Sequence, residues 1–235
     1  MRAAKKGHEE IVKILLERDN VNPNQADTEH GRTPLWWAAK GCCSLVLPVK
    51  LLLEGEGVDP NQADTEYGRM PLLLATKIRY EGVVKILLER ADINPNQADT
   101  KDGRTPLWWA AENGNERVVK MLLERADVNT NQVDTKYGRT PLSLGAEKGH
   151  EGVVKMLLEQ KDVRITTPGN KSQAPLSLAL ARGHNGVVKA ILEWKNANSG
   201  TPNPGSQTPL PPSTGIGGES VVENQFPGFK RRRLQ

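Results

Sequence analysis

An all-α solenoid of stacked helix-turn-helix pairs is the fold class this sequence predicts, and three observations predict it. The element Thr-Pro-Leu occurs at Thr33-Pro34-Leu35, Thr105-Pro106-Leu107 and Thr140-Pro141-Leu142, with weaker copies at Met70-Pro71-Leu72 and Ala174-Pro175-Leu176, so its prolines lie 37, 35, 35 and 34 residues apart. An apolar pair followed by Glu keeps the same register at Leu15-Leu16-Glu17, Leu52-Leu53-Glu54, Leu87-Leu88-Glu89, Leu122-Leu123-Glu124, Leu157-Leu158-Glu159 and Ile191-Leu192-Glu193. Between these markers lie stretches such as Asp92 to Arg104, rich in Asn, Asp, Pro and Gly, which favour turns over a further helix. A fixed period of this length marks a repeat array in which no single unit can bury its own apolar face.

Gly103 to Thr135 is the clearest unit. Thr105 is placed to cap a short helix and Pro106 to occupy its first position, followed by Leu107, Trp108, Trp109, Ala110 and Ala111. Gly114 breaks that helix. A second begins near Glu116, and Val118, Val119, Met121, Leu122 and Leu123 give it an apolar face too wide for one neighbour, so it must meet both its own first helix and the next unit. Full burial of one such Leu stabilises by roughly 1.5–3 kcal/mol.

The other units are variations. Residues 1 to 32 hold a partial unit whose first helix is too short to persist alone, which predicts weak protection over residues 1 to 10. Further units start near residues 33, 70, 105, 140 and 174, and the array extends over 1–195. The second carries Gly41-Cys42-Cys43-Ser44-Leu45-Val46-Leu47-Pro48 and is two residues longer than its neighbours; the third has Arg79 in place of the turn Gly. These two are the least regular. Trp194 is expected to close the last helix. Residues 196–235 form a Pro/Gly/Ser/Thr-rich segment, predicted to be a disordered tail, that ends in a basic cluster.

The order G-x-T-P-L, A-A-x-x-G, V-V-K-x-L-L-E, D-V-N closely resembles the ankyrin repeat, over about residues 3 to 195. The resemblance implies antiparallel helix pairs with hairpin-like loops on one side, a concave groove, and non-catalytic protein binding. Two departures stand out: the usual Gly after the second helix is missing from Arg90-Ala91-Asp92, and the usual His after Thr-Pro-Leu is replaced by Trp36, Leu73, Trp108, Ser143 and Ser177.

Composition bounds the chemistry. The 235 residues carry a formal net charge of +4, and without Lys230, Arg231, Arg232 and Arg233 the rest of the chain would be formally neutral, so the array carries no strong net charge. The adjacent Cys42 and Cys43 form no disulfide framework and suit a reducing compartment. No apolar run is long enough to span a bilayer, and MRAAKKGHEE has no signal core. The expectation is an intracellular, cytoplasmic protein, with Lys230 to Arg233 resembling a nuclear localisation signal.

Catalytic and cofactor patterns are missing. His8, His30, His150 and His184 fall in separate units and do not converge as zinc ligands must. Asp92-x-Asn94-x-Asn96 opens like a calcium loop but has Gln97 where Gly is required, so it reads as turn chemistry. Gly215 to Gly218 follows no strand, and Asn170-Lys171-Ser172 is a glycosylation sequon with no role unless the chain is secreted. No enzyme activity, cofactor, metal, small-molecule substrate or membrane is expected.

Two cationic ladders remain. Lys13, Lys50, Lys85, Lys120, Lys155 and Lys189 recur on the second helices, each followed four residues later by Glu, and read as a solvated face. Arg32, Arg69, Arg104 and Arg139 recur beside the loop Gly residues, where pairing with Asp27, Asp64, Asp99 and Asp134 is expected, the alternative being an acidic partner. The Trp36-Trp37 and Trp108-Trp109 pairs read as packing residues.

From the resemblance, the partner-binding positions are those flanking the hairpin Gly and following the Ala pair. These are Glu29, His30, Arg32, Lys40, Glu66, Tyr67, Arg69, Lys77, Ile78, Lys101, Asp102, Arg104, Glu112, Asn113, Lys136, Tyr137, Arg139, Glu147 and Lys148. Tyr67 and Tyr137 are the expected anchors, tyrosine supplying large area with a polar tip. The expected function is a scaffold or adaptor binding a protein partner. The alternatives are the regulatory or sensor portion of a larger signalling protein and a nuclear factor associated with nucleic acid, the last resting only on four tail charges that give little affinity at physiological salt.

Overall fold

The computed structural model describes residues 1–41, 46–166 and 174–198. The cysteine pair, the sequon and the tail from residue 199 on, with its basic cluster, lie outside the described residues, whereas 196 and 197, expected in the tail, belong to the last helix. Among the described residues the structure is helical, with no strand. Six helix pairs follow in order: α1 Arg2–Lys6 and α2 Glu9–Leu16, α3 Pro34–Lys40 and α4 Val46–Glu54, α5 Pro71–Lys77 and α6 Glu81–Leu88, α7 Pro106–Glu112 and α8 Glu116–Leu123, α9 Pro141–Lys148 and α10 Glu151–Leu158, α11 Pro175–Arg182 and α12 Asn185–Ala197. Each first helix packs on the next first helix and each second helix on the next second helix, giving two parallel layers with the core between them.

Local chemistry sets the boundaries. Thr33, Thr105 and Thr140 accept at Oγ1 from the backbone N–H three residues on, at 3.1, 3.2 and 3.1 Å, while the following proline occupies the first helical position, where no N–H is needed. Asn115 caps α8 in the same way, its Oδ1 accepting from Val118 N at 3.2 Å. Pro48 lies in the first turn of α4, where its missing N–H costs no helical bond. Gly114, Gly149 and Gly183 make the turn between paired helices with φ of 63, 79 and 72°. Arg79 adopts the same left-handed conformation at φ 65°, the one non-glycine at positive φ among the described residues.

The core repeats with the period. Leu35, Leu72, Leu107 and Leu142 are buried at equivalent points of the first helices, and Leu87, Leu122 and Leu157 at equivalent points of the second. Ala39, Ala75, Ala111 and Ala146 are fully enclosed where the layers approach, so larger residues there would overpack the interface. α12 runs three residues past Trp194, which is half-buried against the core, so Trp194 packs the last helix rather than ending it.

Asparagine side chains cross-link the units at the far end. Asn24 Nδ2 donates to Gly57 O and its Oδ1 accepts from Asp59 N; Asn61, Asn96 and Asn131 repeat this clamp on Asp92 and Asn94, Asp127 and Asn129, and Asp162 and Arg164. The missing glycine after the second helix is compensated by arginine. Arg90 Nη1 donates to Leu53 O at 2.6 Å and Arg125 Nη1 to Leu88 O at 3.2 Å, while each guanidinium forks onto the Asp two residues on. Each arginine thus satisfies a helix-end carbonyl of the preceding unit.

Candidate protein-interaction surface

The loops that carry the sequence-predicted contacts are built by one device repeated four times. Asp27, Asp64, Asp99 and Asp134 donate their N–H to the carbonyl of Arg32, Arg69, Arg104 and Arg139, closing a turn around Gly31, Gly68, Gly103 and Gly138. Each carboxylate also accepts from the backbone N–H three residues on, at His30, Tyr67, Asp102 and Tyr137. Adjacent loops are joined by backbone bonds of 2.8 Å from Thr65 N to His30 O, Thr100 N to Tyr67 O and Thr135 N to Asp102 O. A side chain at Gly103 would meet the Thr135 methyl at 2.6 Å, so this close approach needs glycine as much as its φ of 67° does.

The tryptophans fasten the first helices to these loops. Trp36 Nε1 donates to Asp64 Oδ2 at 3.1 Å and to Arg69 O at 2.9 Å, and Trp108 Nε1 to Asp134 Oδ2 at 3.2 Å, each reaching the loop that leads into the following first helix. Trp therefore supplies a donor where the ankyrin pattern has His. Trp37 Nε1 donates to Asp27, in the loop before its own helix, at 3.0 Å, whereas the buried Nε1 of Trp109 has no acceptor. The two indoles of each pair meet edge to face at 5.1 Å. Trp36 and Trp108 are buried and Trp37 and Trp109 half-buried, as packing residues.

The arginine ladder departs from its expected pairing. Only Arg139 reaches its loop aspartate, with Nε 3.1 Å from Asp134 Oδ2. Arg32 pairs with Glu66 at 2.6 Å and Arg104 with Asp102 at 3.2 Å; Arg69 forms no ion pair among the described residues. The aspartate oxygens accept backbone N–H groups and, at Asp27, Asp64 and Asp134, indole N–H groups. The guanidinium planes lie on aromatic rings instead: Arg32 4.6 Å from Trp36, Arg69 4.1 Å from Tyr67, Arg104 4.4 Å from Trp108 and Arg139 4.5 Å from Tyr137.

The structure sorts the predicted contact residues into groups. Glu29, His30, Arg32 and Glu66 form one ion-pair cluster, with the His30 nitrogens 3.2 Å from Glu29 and 3.4 Å from Glu66. The Tyr67 hydroxyl, aided by the charges of His30, Arg32 and Arg69, holds the Glu66 carboxyl below its usual range against an opposing desolvation. Glu147 sits between Arg139 at 3.0 Å and Arg182 at 2.9 Å, and Lys148 pairs with Glu112 at 3.1 Å. Lys40 lies over the Trp36-Trp37 pair and Lys136 over Tyr137, which is 48% exposed. Tyr67, Arg69, Lys77, Lys101, Asp102 and Arg104 gather around the third and fourth units.

Two predicted contacts belong to the framework instead. Asn113 Nδ2 donates to Thr76 O and Lys77 O, tying the end of α7 to α5, and Ile78 is the half-buried residue that ends α5. Sequence reasoning also missed Arg182, because its partner Glu147 lies 35 positions away. His150 and His184 are links between units, with Nε2 3.2 Å from Glu112 O and 2.9 Å from Glu147 O; a carbonyl partner requires the Nε2–H tautomer. The lysine ladder is exposed as expected, with ion pairs of 2.6 Å from Lys155 to Glu151 and 3.8 Å for Lys50–Glu54 and Lys189–Glu193.

The model for ankyrin repeats in three copies matches residues 1–48, 47–132 and 94–168. The chain belongs to the ankyrin-repeat family. No curated protein matches it. Among solved structures, the crystal structure of EF0377, an ankyrin repeat protein, is similar with a TM-score of 0.72 and 23% identity, covering 82% of this chain and 95% of that one. Ankyrin repeats are generally protein–protein interaction modules and generally non-catalytic. Among the described residues of this ankyrin array, no helix is long and apolar enough to cross a membrane, and no three His, Cys, Asp or Glu side chains are grouped to hold a metal.

Proposed function

We propose that the chain is a non-catalytic adaptor that binds a protein partner through its loops and first helices, with residues 1–195 as the binding array and 196–235 as a tether. The observation that supports this most is the contrast within each loop. Asp, Gly and Arg recur with the same turn, while the two positions before the glycine change from Glu29-His30 to Glu66-Tyr67, Lys101-Asp102 and Lys136-Tyr137. A fixed backbone bearing variable side chains is the arrangement expected of a recognition surface on a rigid support.

Affinity capture with the whole chain, residues 1–195, and a Tyr67→Ala/Tyr137→Ala variant tests the reading. The whole chain and the array are expected to hold the same proteins, and the variant to lose at least one of them. Retention of every protein by the variant removes the tyrosines from recognition, and capture of none by the whole chain removes protein binding. The four basic residues at the end of the tether make it a candidate nuclear address; a change of Arg231, Arg232 and Arg233 to Ala that leaves localisation unaltered defeats that part.

A further inference from the structure

The cations of this array are neutralised unevenly. On one flank Arg32 is held by Glu66, and on the other Arg139 is held by Asp134 and Glu147 and Lys148 by Glu112. Between them, Arg69, Lys77 and Lys101 form no ion pair among the described residues, and Arg104 has only Asp102; the flanking Lys40 and Lys136 also form none, but each shares its ring with a paired arginine, Arg32 or Arg139. These four charges converge on two rings. Arg69 Cζ and Lys101 Nζ lie 4.1 and 5.7 Å from the centre of Tyr67, and Lys77 Nζ and Arg104 Cζ 4.4 and 5.1 Å from that of Trp109.

The cluster has more donors than acceptors. Trp109 Nε1 and the Nε atoms of Arg69 and Arg104 are buried without an acceptor; Arg32 Nε on the flank shares this, so Trp109 is what sets the cluster apart, since the equivalent Trp37 has Asp27. Burial, then the nearby charges of Arg69, Arg104 and Lys101, disfavours the protonated Lys77 amine, and Asp99 opposes them only in part. An added carboxylate would therefore meet several cations already held in place, on aromatic walls that lower their hydration.

We infer that the surface formed by Tyr67, Arg69, Lys77, Lys101, Arg104 and Trp109 docks an acidic segment of a protein partner; this rests on the protein-binding reading above. A short acidic peptide fits better than a nucleic acid. The Glu66 and Asp102 carboxylates border the patch, so a continuous phosphate backbone meets negative charge beside a small cationic centre, whereas a short acidic segment can end within it.

The test pans the full-length chain against a random peptide library and measures the enriched peptides by fluorescence anisotropy at low and raised salt. Acid-rich peptides are expected, with affinity reduced about tenfold and a flatter salt dependence in Lys77→Gln/Lys101→Gln. Lys77→Arg/Lys101→Arg should retain binding. Lys85→Gln/Lys120→Gln, which removes equal charge from the exposed second helices, should leave it unchanged. Enrichment of neutral or basic peptides, no enrichment, equal loss in both glutamine variants, or tighter binding of a labelled single-stranded oligonucleotide at the same lysines overturns the inference. Capture from a lysate separates the two failures. If Lys77→Gln/Lys101→Gln holds every protein that the native chain holds, the acidic site falls and protein binding stands; if the native chain holds none, both fall.

Discussion

The indole N–H of Trp36 donates to the carboxylate of Asp64, in the loop that leads into the following first helix, at 3.1 Å, and both residues are buried. One side chain thereby joins the first helix of one repeat to the loop of the following one, and the same indole also satisfies Arg69 O. A phenylalanine fills most of the same volume and donates nothing. Trp36→Phe is therefore expected to lower stability by about 1–3 kcal/mol, the range for leaving a buried acceptor unpaired. The shift is read from the urea midpoint.

The asparagine clamp should count although it lies near the surface, because each side chain satisfies two backbone groups of the next unit. Asn96→Ala removes the bonds to Asp127 O at 2.6 Å and from Asn129 N at 2.7 Å and should cost about 1–2 kcal/mol. Gln97→Ala, beside it, removes no such clamp and should change stability by less than about 0.5 kcal/mol. Equal effects in thermal unfolding would show that the clamp adds nothing.

Arg79 occupies a left-handed turn that glycine fills in the following units. Its Cβ opposes that conformation, so Arg79→Gly is expected to raise stability by about 1 kcal/mol despite the extra freedom glycine gives the unfolded chain. Urea unfolding of this variant beside Gly114→Ala, expected to be destabilised, checks the sign. At Gly114 an added Cβ would also meet the His150 ring at 2.6 Å.

Burial raises the Glu147 carboxyl, but the hydrogen bonds from Arg182 and Arg139 outweigh it and hold the group below its ordinary range. Because the folded form binds its proton less readily than the unfolded form, Glu147 contributes stability above the ordinary glutamate value. That contribution is lost as pH falls through the lowered folded value. Glu147→Gln should destabilise at neutral pH and converge on the native protein at strongly acidic pH. A constant gap across a series of unfolding curves from pH about 7 to about 2 would contradict this.

The first helix, Arg2–Lys6, holds Ala4 against the core but spans only five residues. Amides over residues 1 to 10 are expected to exchange rapidly, well before those of α8. Slow exchange there, followed by mass spectrometry, would show that packing against α3 suffices to hold a single turn and a half.

Much of the fold was legible because each unit writes its own boundaries locally. Thr105, Pro106, Gly114 and Glu116 mark one helix pair, and helices Pro106–Glu112 and Glu116–Leu123 follow from capping and period alone. The candidate surface was legible as a set of positions but not as a set of contacts. Arg32 was expected on Asp27 and takes Glu66, a residue 34 positions further on, while Asp27 accepts from His30 N and from Trp37. Asn113 has the sequence position of a contact residue and the hydrogen bonds of a structural one.

By itself the sequence determined the register of the array, since Thr-Pro-Leu and the apolar pair before Glu keep step and each unit needs a neighbour to cover its apolar face. Only the tertiary structure decided where the charges go. Trp37 and Trp109 occupy the same place in two copies of Pro-Leu-Trp-Trp-Ala-Ala, yet one indole has an acceptor and the other lies beneath Lys77 without one. The difference comes from side chains contributed by neighbouring units, whose distances from these rings are fixed by stacking and are not written in either copy.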